Sequence, residues 1–176
     1  METKKTLKFF TITEYEKEQD YLRQMHKAGW KFVKVSGFCV YHFEKCTPED
    51  VIYQLDYNQE GIAHKEEYIT MFQDCGWEYL QDYVGYSYFR KPASEANGAE
   101  EIFCDNSSRV QMMDRIFKGK ILPLAAIFLL ILVPTFIRNI NIADYVNAGC
   151  LGAVILLYLV IFASFYSKYY KFKNKK

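Results

Sequence analysis

Two uncharged apolar stretches close the chain, and they constrain its fold more than any other feature. Ile121 to Ile137 reads ILPLAAIFLLILVPTFI, seventeen residues without a charge, and Tyr145 to Tyr166 reads YVNAGCLGAVILLYLVIFASFY. Both fall in the range of about 17–25 residues that crosses a hydrocarbon core about 30 Å thick as a helix. One such stretch is equally a buried core helix. Two in succession, separated only by Arg138 to Asp144, leave too little soluble chain to bury them. The sequence therefore predicts a transmembrane hairpin, with helices over 119–138 and 145–167, an external turn over 139–144 and a basic tail over 168–176. Pro123 falls in the first turn of its helix, where a missing N–H is tolerated, whereas Pro134 is expected to kink or end it.

Charge divides the chain at the same place. Lys+Arg against Asp+Glu is 14 against 20 over residues 1–115 and 8 against 1 over 116–176, so the overall +1 is the sum of −6 and +7. An acidic front on a basic, apolar back suits a soluble head on a membrane anchor, and excludes collagen, a disordered chain and a small disulfide scaffold. Lys and Arg near span ends stay preferentially in the cytoplasm. Arg115, Lys118 and Lys120 precede the first span, and Lys168, Lys171, Lys173, Lys175 and Lys176 follow the second, so both termini are predicted cytoplasmic. The charged start, Met1 to Lys8, does not read as a signal peptide. Tyr166, Tyr169, Tyr170 and Phe172 fit an interfacial aromatic belt beside lysines that suit anionic headgroups of the lipid bilayer. Ala148 with Gly152, and Gly149 with Ala153, have the spacing of close helix contacts, which serves packing inside the hairpin or dimerisation. Neither span holds an ionisable acid, base or histidine, which argues against an ion or proton pathway.

Residues 1–91 read as a head in which one pattern occurs twice. Tyr21-Leu22, Met25, Ala28-Gly29-Trp30 and Tyr68-Ile69, Phe72, Cys75-Gly76-Trp77 match at an offset of 47 residues. Their apolar spacing marks a helix face, Gly29 and Gly76 sit where a helix C-cap needs a left-handed residue, and Thr13 with Glu16 resembles a capping box. Each Gly-Trp leads into two strand-like runs, Trp30–Val35 with Phe38–Phe43 and Trp77–Gln81 with Tyr86–Arg90, joined by turns at Ser36-Gly37 and Val84-Gly85. Before each helix lies one more candidate strand, Thr6–Ile12 and Val51–Tyr57. The fold class is α+β: a duplicated β-α-β-β unit of six antiparallel strands and two helices, followed by the transmembrane hairpin. Residues 92–118 read as a linker and a juxtamembrane helix with Val110, Met113 and Phe117 on one face.

No motif in the head carries chemistry. The cysteines at 39, 46, 75, 104 and 150 form no Cys-x-x-Cys pair and are expected as free thiols in a cytoplasmic head. Cys39, His42 and Cys46 suggest a metal, but strand alternation would point Cys39 and His42 to opposite faces, so no metal site is assigned. His26 and His64 lack a nucleophile at a motif spacing, and the Glu-rich helix starts read as solvated faces. No catalytic residue and no cofactor is assigned. An acidic head would repel phosphates, so direct nucleic-acid binding is not expected. Nineteen of residues 1–91 are aromatic. Most are expected in a core, Trp30 and Trp77 in particular. Tyr41, Tyr79, Tyr86 and Tyr88, with Tyr79 opposite Tyr86 or Tyr88 and Glu78 beside them, would alternatively line a surface for a small amphipathic or cationic ligand.

The repeated Gly-Trp hairpins, Ala28-Gly29-Trp30-Lys31-Phe32 and Cys75-Gly76-Trp77-Glu78-Tyr79, together with the acidic start and the C-terminal two-span hairpin, resemble the domain-of-unknown-function family 2812. The resemblance covers roughly residues 4–170. It implies a membrane-anchored bacterial protein, mainly of Gram-positive organisms and often encoded beside PadR-like transcriptional regulators. It carries over no catalytic residue. In topology alone, a doubled β-α-β-β unit is also similar to the effector-binding domains of the gyrase-inhibitor-like group, which hold drug-like ligands between their halves. The expectation is a non-enzymatic regulatory or sensing protein whose head binds a protein partner, such as a PadR-like regulator, or a small amphipathic ligand. The alternative is an accessory subunit of a membrane complex such as a transporter.

Overall fold

The order β-α-β-β occurs twice in the computed structural model, which describes residues 2–57, 64–96, 106–142 and 144–173. Its contacts divide the chain into two units, Met1–Cys104 and Asp105–Lys176. The first unit runs β1 (Thr3–Leu7), α1 (Tyr15–Lys27), β2 (Trp30–Ser36), β3 (Val40–Lys45), β4 (Val51–Tyr57), α2 (Lys65–Asp74), β5 (Glu78–Tyr83) and β6 (Tyr86–Pro92). The six strands form two antiparallel sheets of three, ordered β1-β3-β2 and β4-β6-β5.

The break between the sheets has a local cause. In β2 the register against β3 shifts between Phe32 and Lys34, and in β5 the register against β6 shifts between Tyr79 and Gln81. The two bulges are 47 residues apart, the offset of the sequence pattern. A bulge bends its strand and disrupts pairing, so two bulged edges do not ladder together. Side chains bridge them instead: Val35 N–H donates to Gln81 Oε1 at 3.3 Å, and Cys39 N–H donates to the Tyr83 hydroxyl at 3.2 Å.

Both helices end as the sequence predicts. Gly29 and Gly76 have φ of +82° and +80°, the left-handed region that glycine enters without penalty. At α2 the Trp77 N–H reaches Phe72 C=O at 3.0 Å and the Gly76 N–H reaches Gln73 C=O at 2.8 Å, a complete Schellman closure. Helix starts differ. Glu14, not the expected Thr13, stands at the α1 N-cap, without a capping side-chain bond, and its carboxylate accepts the Thr11 N–H at 3.0 Å.

Strand boundaries move where turn geometry decides them. Gly37 and Cys39 both adopt positive φ, so β3 begins at Val40 rather than Phe38. The antiparallel pairing of β1 then stops at Leu7 opposite Val40, and Phe9 and Phe10 leave the sheet. Val84 and Gly85 also have positive φ, which fits the two-residue hairpin turn and pairs Tyr83 with Tyr86. Because of that turn and the following bulge, Tyr79 lies opposite Phe89, not Tyr86 or Tyr88.

Aromatic side chains fill the head. Trp77, Phe72 and Phe89 form one cluster under α2, with Tyr68, Tyr79 and Ile52 against it. Trp30 is only half-buried, held between the ammonium groups of Lys4 and Lys45 at 5.2 and 4.6 Å. Its expected core position therefore belongs to Phe32, which is 1% exposed.

The second unit holds two helices long and apolar enough to cross a membrane, Gln111–Asn141 and Tyr145–Tyr170. The first runs from within α3 (Asn106–Ile116) through α4 (Leu122–Ile127) and α5 (Val133–Asn141), joined by π-helical turns at Phe117–Ile121 and Phe128–Leu132. Pro123 and Pro134 each lie second in the segment after a π turn. A proline ring needs room at the carbonyl four residues back, here Gly119 and Leu130, and both lie inside the widened turns. Pro134 therefore does not end the helix. Within the juxtamembrane helix Met113 is buried, with Met112 and Ile116 as its neighbours, while Phe117 is 43% exposed. The expected place of Val110 lies outside the described side chains.

The helix α6 (Tyr145–Lys173) begins where Asp144 accepts bonds from Asn147 N–H and Nδ2. It packs back through Phe128 against Tyr158 and Phe162, with ring centroids 5.8 and 5.7 Å apart. Ala148 is buried, and a Cβ on Gly152 would stand 3.5 Å from Phe136, so this pair faces the first helix. Gly149 and Ala153 are exposed.

Candidate functional site

The stripe that α1 buries is Tyr15, Glu18, Leu22 and His26, with spacings of three, four and four residues. A glutamate therefore sits on the packed face, 7% exposed. The reading of the Glu-rich helix start as a solvated face does not hold at this residue. Its Oε1 accepts the Tyr41 hydroxyl at 2.6 Å and the Tyr88 hydroxyl at 2.5 Å. Tyr41 comes from β3 and Tyr88 from β6, so one carboxyl joins α1 to both sheets. The two tyrosines are 47 residues apart, whereas the residue 47 beyond Glu18 is Lys65, at the exposed start of α2. Matched donors thus converge on an unmatched acceptor.

Burial pushes the Glu18 carboxyl above the usual range, against the two hydroxyl bonds that favour its charged form. Among the described residues no Lys or Arg pairs with it. Burial, with the Glu18 charge next, likewise raises Tyr41 and Tyr88, so both hydroxyls stay protonated donors. Around them lie Tyr86, whose hydroxyl donates to Ile12 C=O at 2.5 Å, and the Tyr15 and Tyr57 rings, 6.2 and 5.3 Å from Tyr86. The Tyr57 hydroxyl is fully buried without a hydrogen-bond partner among the described residues. An unpaired buried hydroxyl is costly, and together with a carboxyl that has no counter-charge among the described residues it makes this junction polar and aromatic.

The residues singled out by sequence separate into two places. Tyr41, Tyr86 and Tyr88 are core residues of this junction, with their hydroxyls engaged. Tyr79 and Glu78 lie on β5 away from it. Tyr79 faces the Lys65 ammonium at 5.3 Å, and Glu78 takes a two-pronged bond from Arg90, both distances 2.6 Å. Lys65 also pairs with Asp82 at 2.7 Å; that bond and one from Ser87 hold Asp82 low although burial opposes them. Gly29, Trp30, Gly76 and Trp77 shape the helix-to-strand corners.

His26, His42 and Cys39 each have a local partner. His26 Nδ1 lies 2.8 Å from the Tyr53 hydroxyl, and burial first, then the Arg90 charge, lowers its pKa. His42 Nε2 bonds Ser36 Oγ at 2.8 Å, while Cys39 Sγ is 3.9 Å from the Tyr83 hydroxyl. Among the described residues no three His, Cys, Asp or Glu side chains converge as a metal cluster would.

In the second unit a groove of about 510 Å³ lies between the two helices, with Phe117, Phe162 and Phe165 in its wall. Asp114 is the charged group in its lining.

The sequence model of a family described as "Protein of unknown function (DUF2812)" matches residues 14–126. That interval contains α1, the Glu18 junction, both sheets apart from β1, and the start of the first long helix. No curated protein and no solved structure matches the chain.

Proposed function

Because the chain belongs to the DUF2812 family, whose description assigns no activity, we propose a function from the site itself: a membrane-anchored, non-enzymatic sensor whose head takes up a small amphipathic cation against Glu18. The observation that supports this is the buried carboxyl, bonded by two tyrosines from different sheets and, among the described residues, without a positive partner. Ionising such a group is unfavourable until a cation neutralises it, and aromatic faces attract a cation from the sides. Uptake would favour the charged form of Glu18 and shift the junction between α1 and the two sheets toward the loaded arrangement.

The two long helices supply the anchor, and the lysine-rich flanks of both favour cytoplasmic termini by the positive-inside rule. An amphipathic cation concentrates at an anionic bilayer surface, which gives the anchor a purpose in sensing.

The test is calorimetric titration of the full chain in nanodiscs with tetraphenylphosphonium, subtracting the heat of empty nanodiscs. Glu18→Gln is expected to weaken binding by at least tenfold while leaving the tryptophan emission of the folded head unchanged. Equal affinity of the two proteins would refute the reading.

A further inference from the structure

One end of the head exposes large apolar side chains that no packing requirement explains. Leu7, Phe9 and Phe38 are 74, 64 and 78% exposed. They form one patch: Leu7 pairs with Val40, Lys8 N–H donates to Cys39 C=O at 3.2 Å, and the Phe9 and Phe38 rings stack at 6.2 Å. The Tyr83 hydroxyl donates to Gly37 C=O at 3.0 Å and accepts the Cys39 N–H, which brings the β5–β6 turn with exposed Val84 to the same end. Contiguous apolar surface of this kind marks an interaction site.

Lysines flank the patch. Lys5 and Lys34 both pair across β3 with His42, so they stand on one sheet face with Leu7, and Lys8, between Leu7 and Phe9 in the chain, holds its ammonium 5.6 Å from the Tyr21 ring. All three are exposed, and none forms an ion pair among the described residues. In a front portion with a net charge of −6, this is a local concentration of unneutralised positive charge at the apolar end.

We propose that this end of the head is a membrane-docking tip: Leu7, Phe9 and Phe38 enter the headgroup boundary of an anionic bilayer, while Lys5, Lys8 and Lys34 meet its phosphates. Three observations favour lipid over a protein. Exposed apolar rings flanked by cations are what an interfacial segment needs. Aromatic rings beside lysine also occur toward the end of α6, at Tyr166, Lys168, Tyr169 and Tyr170. The chain also carries its own membrane-length helices, so the bilayer surface is held at high effective concentration and a weak contact suffices. This docking is independent of any ligand at Glu18.

The experiment places a reporter in the tip. Phe38→Trp is introduced into the full chain, the protein is reconstituted in nanodiscs of brominated phosphatidylcholine with or without phosphatidylglycerol, and emission is compared with the parent protein, whose tryptophans are Trp30 and Trp77. The added indole is expected to be blue-shifted and quenched by the brominated chains when phosphatidylglycerol is present. Combining it with Lys5→Glu, Lys8→Glu and Lys34→Glu should abolish the quenching. A water-like, unquenched indole in both lipid mixtures would overturn the proposal, as would quenching that survives the triple charge reversal. A blue shift without bromine quenching would also overturn it, since it assigns the tip to a second copy or another protein. Phe38 lies outside the core, so loss of folding does not confound the reporter.

Discussion

Glu18 sets the most direct test of how the head is held together. A buried hydroxyl stripped of its acceptor costs about 1–3 kcal/mol. Glu18→Ala orphans the Tyr41 and Tyr88 hydroxyls together and is expected to destabilise by about 2–6 kcal/mol, a large share of a typical total of about 5–15 kcal/mol. Glu18→Gln keeps an acceptor oxygen and removes only the ionisation. Because burial raises the folded pKa above the ordinary 4.5, the folded state binds the Glu18 proton more tightly than the unfolded state. The stability this contributes is fully present below 4.5 and is lost as pH rises through the folded value. Glu14 and Asp50, held down to about 2 by their lysine and arginine partners, act in the opposite direction and are the same in both proteins. The wild-type minus Glu18→Gln difference therefore isolates Glu18. Both tryptophans, Trp30 and Trp77, lie in the head. Urea unfolding of the full chain in nanodiscs, followed by tryptophan emission, then reads the head alone. The difference curve should fall as pH rises above the ordinary value of 4.5. A flat difference, or an alanine variant that loses less than about 1 kcal/mol, would refute the assignment of Glu18 as the shared buried acceptor.

Other outcomes follow from single positions. Asp50→Asn keeps one acceptor oxygen but breaks the two-pronged pairing with Arg23 at 2.6 and 2.8 Å and removes the ionisation, and should flatten the loss of stability between the ordinary value of 3.8 and about 2 in acid-unfolding curves. Gly85→Ala and Gly76→Ala share a left-handed backbone strain of about 1–2 kcal/mol. Only at Gly85 does the new Cβ meet a fixed ring, Tyr57 Cε2 at 2.6 Å, whereas at Gly76 it meets the flexible end of Lys91 at 3.3 Å. Thermal unfolding should therefore rank Gly85→Ala below Gly76→Ala by about 1–3 kcal/mol. In the hairpin, Gly152→Leu drives a side chain into Phe136 while Gly149→Leu enters open space, so size-exclusion stability in detergent should fall for the first and hold for the second.

Strong local signals account for what was readable along the chain. The uncharged stretches needed no tertiary information, because a helix that length in lipid is dictated by composition. The Gly-Trp corners were equally plain, since a helix that turns sharply into a strand needs the positive φ found at Gly29 and Gly76. Expectations failed where a turn set the register. Cys39 and Val84, neither of them glycine, adopt positive φ, and those turns moved β1, β3 and the partner of Tyr79. Glu18 had a faint signal, its place three residues after Tyr15 and four before Leu22. A charged residue on an apolar stripe reads as an edge residue until something is seen to bond it.

The sequence by itself determined the head-and-hairpin division, the twofold β-α-β-β order and the match to a family, because each rests on local periodicity, charge or spacing. Tertiary structure alone decided that the sheets are two rather than one, that Tyr41 and Tyr88 turn inward to a common carboxyl, and that Leu7, Phe9 and Phe38 are left outside. Each of those depends on which strand lies beside which, and two bulges and two tight turns, not hydrophobicity, fix that.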